Sequence, residues 1–179
     1  SNGKPMPNNC NDITENDIEA FNKFREDLHS YVQSLGIFSL SSINNDILMW
    51  GHYADSHAGF CIEYERSPEN ILGKQALPVI YQKSFPSFTG NDVTSSGEKS
   101  DHLWRTKSEH WSYEKEWRIV EPKGEKAYLF PCRIRSIIFG LKMEKEEQYT
   151  LRKLLEFKGV SFKKAVIDDN QFSISIVST

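Results

Sequence analysis

Asn44-Asn45-Asp46-Ile47-Leu48-Met49-Trp50-Gly51-His52-Tyr53-Ala54-Asp55-Ser56-His57-Ala58-Gly59-Phe60-Cys61-Ile62-Glu63-Tyr64 changes its apolar period part-way, and that change decides the fold class. The Asn-Asn-Asp opening supplies capping side chains, so a helix is predicted from about Asp46 to Asp55. Its Ile47, Trp50, Gly51 and Ala54 share one face, with Met49, His52, Tyr53 and Ser56 on the next, so His52 and Tyr53 emerge beside a packed Trp. Ala58-Gly59 ends the helix. Phe60 to Tyr64 then alternates as a strand, with Phe60, Ile62 and Tyr64 on one face and Cys61 and Glu63 on the other.

Outward from this unit, Thr14 to about Leu35 carries Ile18, Phe21, Leu28, Tyr31, Val32 and Leu35 at helical spacing, with Thr14 placed to cap and Gly36 to stop. Ile37 to Ser41 reads as a short strand, and a helical turn after Pro68 leads to a strand over Leu77 to Tyr81. The Ser/Gly/Thr/Asn-rich stretch 84–100 is expected to be a mobile loop. A helix from about Ser100 to His110 follows, then strands at Glu114 to Val120, Lys126 to Phe130 and Ile134 to Phe139. A helix over Glu144 to Phe157 precedes a closing pair of strands, Val160 to Ile167 and Phe172 to Val177, joined by Asp168-Asp169-Asn170. Strands outnumber helices without regular alternation. The expectation is an α+β (mixed α/β) fold, a mixed or mostly antiparallel sheet flanked by helices, in a single compact domain over residues 14–179. Trp50, Phe60, Ile62 and Trp117 are expected in its core. Ser1-Asn2 resembles a tag-cleavage remnant, and residues 1–13 are expected to be such a remnant or a disordered lead.

Composition excludes several functions. Of 179 residues, 38% are hydrophobic and 12% aromatic, enough for a sizeable core. A net charge of −3 with mixed signs leaves no electrostatic footprint for nucleic acid or anionic membrane. No apolar run approaches the roughly 20 residues a membrane span needs. The three cysteines, Cys10, Cys61 and Cys132, are odd in number and far apart, which disfavours a disulfide framework and points to the cytoplasm. No metal site is expected: His52 and His57 lie five residues apart, about 140° around a helix.

Two constellations carry candidate chemistry. One is the His52-Tyr53 pair beside Trp50. The other is Trp111-Ser112-Tyr113-Glu114-Lys115-Glu116-Trp117-Arg118-Ile119, where a period of two puts Glu114, Glu116 and Arg118 on one strand face. Two carboxylates and a guanidinium on a half-buried face tune one another's pKa values as acid/base chemistry requires. The plainer reading is an ordinary strand whose Arg118 pairs with Glu116 or with Glu63 on a neighbour.

Asn45 to Glu63, with Lys107 and Trp111 to Arg118, closely resembles the bacterial domain of unknown function 2971 family. The resemblance runs from about Ile37 and includes Ile137 to Gly140. It implies no activity. Family members usually begin with a strand bearing a Tyr-Arg pair and an Asn-Asp-Pro-Phe segment, neither of which is present. More distantly, Phe38-Ser39-Leu40-Ser41-Ser42 followed by Glu114-Lys115-Glu116 is similar in order to the Ser strand and Glu-x-Glu strand of Arg-Ser-Glu type ADP-ribosyltransferases. That similarity implies a nucleotide-processing enzyme with NAD as substrate. In it Glu116 is the catalytic carboxylate, Glu114 orients the acceptor, Ser39 shapes the pocket, and His52 and Tyr53 contact nucleotide. Glu63 and Arg118 complete the candidate ligand-binding set. The alternative is a non-catalytic nucleotide- or protein-binding module built on Trp50, His52, Tyr53 and Arg118.

Overall fold

The computed structural model describes residues 14–86, 101–129 and 131–179, and over them the fold is α+β. The expected lead over 1–13 and most of the expected loop over 84–100 lie outside the described residues. Helix α1 (Glu15–Ser34) starts at a capping box, the Thr14 hydroxyl accepting from the Asp17 N–H and the Asp17 carboxylate accepting from Thr14. None of its residues is buried, and Ile18, Phe21 and Tyr31 are each more than half exposed. Its apolar stripe therefore adds no buried residue to the core, although Leu28, Val32 and Leu35 are half-buried.

The strands form two main sheets. In the first, β1 (Gly36–Ser41) pairs antiparallel with β6 (Glu116–Glu121), which pairs on its far side with β3 (Leu77–Pro78). In the second, β2 (Phe60–Tyr64), β7 (Ile134–Phe139), β8 (Ser161–Ile167) and β9 (Ile174–Ser178) lie in that order. Only β7 and β8 run parallel there, with α5 (Lys145–Leu155) between them in the chain. A small parallel pair joins β4 (Ile80–Gln82) to β5 (Thr106–Ser108). Short helices α2 (Ile47–Tyr53), α3 (Ile71–Gln75) and α4 (Asp101–Arg105) complete the elements used below.

The core is built on both faces of β7, whose Ile137, Ile138 and Phe139 are fully buried. Ile138 packs with Trp50, Ala54, Ala165 and Ile174 on the α2 side. Ile137 and Phe139 pack with Met143, Ile62, Leu151 and Leu155 on the α5 side. Trp50 is 4% exposed and its indole N–H donates to the Asn44 carbonyl at 2.8 Å, so the polar tip of the ring is satisfied inside the core.

Several expectations need correction. Phe60 is 42% exposed, because β2 is an edge strand and Phe60 stands at its start, while Ile62 and Trp117 are half-buried. The helix expected to run to Asp55 stops at Tyr53, where Asp55, Ser56 and His57 take left-handed φ values of 45°, 51° and 74°. The helix expected over 100–110 is only α4, followed by β5 and a 3-10 helix, Glu109–Glu114. The strand expected over 77–81 divides at Val79, whose N–H still donates to the Glu116 carbonyl in register with β6, and from Ile80 the chain pairs instead with β5. Residues 126–129 form no strand.

Candidate functional site

Where the outer edges of β1 and β2 meet, the structure leaves a cleft of about 1040 Å³. Residues 38–41 of β1 and 60–64 of β2 all line it. Consecutive strand residues point to opposite faces, so the cleft wraps around both edges rather than lying on one sheet face. It therefore has a polar lobe, on the side of Ser39, Ser41, Glu116 and Arg118, and an aromatic lobe, on the side of Phe38, Leu40 and Trp117.

The polar lobe is assembled from three successive elements. At the end of the 3-10 helix Glu114 is buried, and Lys115 then takes a left-handed conformation, φ 47° and ψ 46°, before β6 begins at Glu116. Glu114 and Glu116 are therefore not two positions of one strand, as the period of two predicts. They converge for another reason: Lys107 on β5 donates to Glu114 and, at 3.0 Å, to Glu116. Arg118 closes a two-pronged pair on Glu116 at 2.7 and 3.1 Å and also donates to the Trp104 carbonyl. Tyr53 donates its hydroxyl to Glu114 at 2.7 Å, and the Tyr81 hydroxyl accepts the Glu116 N–H at 2.8 Å.

These contacts fix the charge states. Burial works to raise the Glu116 pKa, but hydrogen bonds from Arg118, Lys107 and Ser39 outweigh it, and the carboxyl sits below its ordinary range. Burial likewise works to lower Lys107, and its two carboxylates override that and raise it. The hydrogen bond to Glu114 raises Tyr53. A second neutral cluster lies across the cleft on β2. There Glu63 accepts from Asn44 at 2.7 Å, from Ser136 and from Lys163. Burial opposes ionisation of Glu63, and Lys163, Ser136 and Asn44 together hold its pKa low.

Of the residues singled out from sequence, Ser39, Tyr53, Glu63, Glu114, Glu116 and Arg118 line this one cleft. His52 does not. It is exposed on α2 with its ring edge-on to Trp111 at 6.2 Å. Arg118 does pair with Glu116 and not with Glu63, the plainer of the two sequence readings. Lys107, which holds the two carboxylates together, carried no predicted role. No local pattern marks it, because the contact depends on how β5 is placed against β6.

Residues 49–119 match the family model described as a protein of unknown function, DUF2971. Over that stretch the chain is similar to DUF2971 proteins. The match is narrower than the resemblance from Ile37 to Gly140. The matched segment nevertheless runs from within α2 to Ile119 of β6, and so contains Tyr53, Glu63, Lys107, Glu114, Glu116 and Arg118. Ser39 lies outside it. No curated protein and no solved structure matches the chain. Among the described residues no three His, Cys, Asp or Glu side chains are placed to hold a metal ion, and no helix is long and apolar enough to cross a membrane.

Proposed function

We propose that the cleft binds a nucleotide-class small molecule. The observation that carries this reading is the joining, in one cavity, of an aromatic wall of Phe38, Tyr64 and Trp117 to a lobe of converging polar groups. A planar base suits the wall. Sugar hydroxyls suit the polar lobe, and Glu114 is the better acceptor there: Tyr53 and Lys107 occupy part of its carboxylate, leaving lone pairs over. The free thiols of Cys61 and Cys132 fit a reducing, cytoplasmic setting. Calorimetry with adenosine, ADP and NAD tests the reading, with thermal unfolding alongside. A ligand at a hundred times its Kd adds about 2.7 kcal/mol to stability. Absence of heat and of any stabilisation at millimolar concentrations of all three would remove the proposal.

A second reading, ribosyl transfer from NAD, is favoured by one specific feature. The register of β1 on β6 pairs Ser39 with Arg118, and the Ser39 hydroxyl helps keep Glu116 ionised, so a serine and an ionised carboxylate sit together as glycosidic cleavage of NAD requires. In this reading Glu116 stabilises the developing oxocarbenium, Glu114 orients the acceptor and Ser39 shapes the pocket. Against it, Arg118 and Lys107 already occupy the Glu116 oxygens and compete with a developing cation. Binding without turnover is therefore the stronger reading. Nicotinamide release from NAD decides between them: transfer requires release that falls by orders of magnitude in Glu116→Gln.

A further inference from the structure

Three cationic side chains line the cleft, Arg66, Lys107 and Arg118. Lys107 and Arg118 are both tied to buried carboxylates. Arg66 differs: among the described residues no carboxylate or carbonyl pairs with it, and its guanidinium carbon sits 4.5 Å from the centroid of the Trp117 ring. Stacking on an indole restrains the plane of a guanidinium while leaving its N–H edge free, the arrangement that suits two-pronged recognition of an anion. Arg66 follows β2 directly, and the pairing of β2 with β7 shifts register between Glu63 and Tyr64. Such a bulge bends the strand and re-aims the side chains after it.

We infer that Arg66 is the anion-recognition residue of the cleft, receiving a phosphate group of a ligand whose ring lies in the aromatic lobe beside Trp117. This deepens the nucleotide reading and rests on it for the identity of the ligand. The chemistry is local. The Glu114, Glu116, Lys107 and Arg118 cluster is neutral as a set and offers no net attraction to an anion, whereas Arg66 has a full positive charge that no carboxylate among the described residues cancels. A nucleoside would therefore bind less tightly than its phosphate ester, and the difference would reside in Arg66.

The experiment compares adenosine with ADP by calorimetry in the wild type, in Arg66→Ala and in Arg66→Lys. ADP binds the wild type at least about tenfold tighter than adenosine, the worth of one charge-assisted hydrogen-bonded contact. That preference collapses in Arg66→Ala and is partly retained in Arg66→Lys, which keeps the charge and loses the fork. Thermal melting of both variants verifies folding, and the exposed position of Arg66 makes a large loss unexpected. An ADP preference that persists in Arg66→Ala, or no preference in the wild type, overturns the inference. Inorganic pyrophosphate, followed through the Arg66 side-chain Nε–H resonance, separates the two proposals. If neither adenosine nor ADP binds but pyrophosphate shifts that resonance, and Arg66→Ala abolishes pyrophosphate binding, the anion site stands and the nucleotide reading falls. If pyrophosphate shifts nothing either, both fall.

Discussion

Replacing Lys107 by Met removes the cation that bridges two buried carboxylates. The Glu114 and Glu116 side chains are 4% and 6% exposed, while that of Lys107 is 21% exposed. In Lys107→Met, Glu116 keeps Arg118, but among the described residues Glu114 keeps only the Tyr53 hydroxyl as a side-chain donor. Deleting one member of a buried pair costs about 3–5 kcal/mol, and the partial exposure of Lys107 places this case at the lower end, about 3 kcal/mol. At this chain length that is a fall of roughly 6–12 °C in Tm. Urea unfolding of Lys107→Met, Glu114→Gln and the double variant measures it as a cycle. Removing the stranded carboxylate restores part of the loss, so the two changes couple by more than about 1 kcal/mol. The pH dependence has a definite sign. Lys107 is raised on folding, so its contribution is complete below the ordinary lysine value of 10.5 and is lost as pH rises through the higher folded value. Glu116 is lowered, so its contribution is complete above 4.5 and is lost as pH falls through the folded value. A cost for Lys107→Met below about 1 kcal/mol, or strict additivity with Glu114→Gln, would refute the view that this lysine organises the polar lobe.

Trp50→Ala removes a ring that is 4% exposed at the centre of the α2-side core, and urea unfolding should show a loss of about 3–5 kcal/mol. Gly140→Ala places a Cβ 2.2 Å from the His57 carbonyl oxygen and 2.6 Å from that of Gly59, both backbone atoms, so the end of β7 must separate from the turn after α2. The expected cost is on the order of 3 kcal/mol, read by the same unfolding assay. Cys61, with its thiol pushed up to about 11 first by burial and then by Glu63, should resist a thiol reagent at pH 8 in the native protein and react once the chain is unfolded in urea.

The parts of the fold visible in the sequence are those fixed by neighbours along the chain. Asp46 caps α2 through its own carboxylate on the Leu48 and Met49 N–H groups, and Trp50 falls on the buried face by period alone. Thr14 and Asp17 mark the start of α1 in the same way. The sequence could not show that Ile18, Phe21 and Tyr31 of the α1 stripe stay exposed, because coverage depends on what packs against them. Lys115 defeated the strand pattern through one left-handed residue, which no alternation of polar and apolar positions reveals. The error had a limited consequence. Glu114 and Glu116 still face one lobe, because Lys107 draws them together across a tertiary contact.

The same distinction explains how the candidate site is divided. A carboxylate withdrawn from water persists only if cations or hydrogen-bond donors compensate its lost hydration, so half-buried Glu63 and buried Glu114 and Glu116 each require partners, whether from a distant strand or from a few residues along the chain. Those partners are Lys163 for Glu63, Lys107 for both glutamates of the polar lobe, and Arg118 for Glu116. Their charges are consumed in holding the walls of the cleft, which explains why the charged residues most conspicuous in the sequence are poorly placed to supply charge to a ligand. Arg66 has the opposite character: it is exposed, restrained on Trp117 and, among the described residues, paired with no carboxylate. The recognition charge of a cleft is the one its folding does not use, and here that criterion selects an arginine with no motif around it.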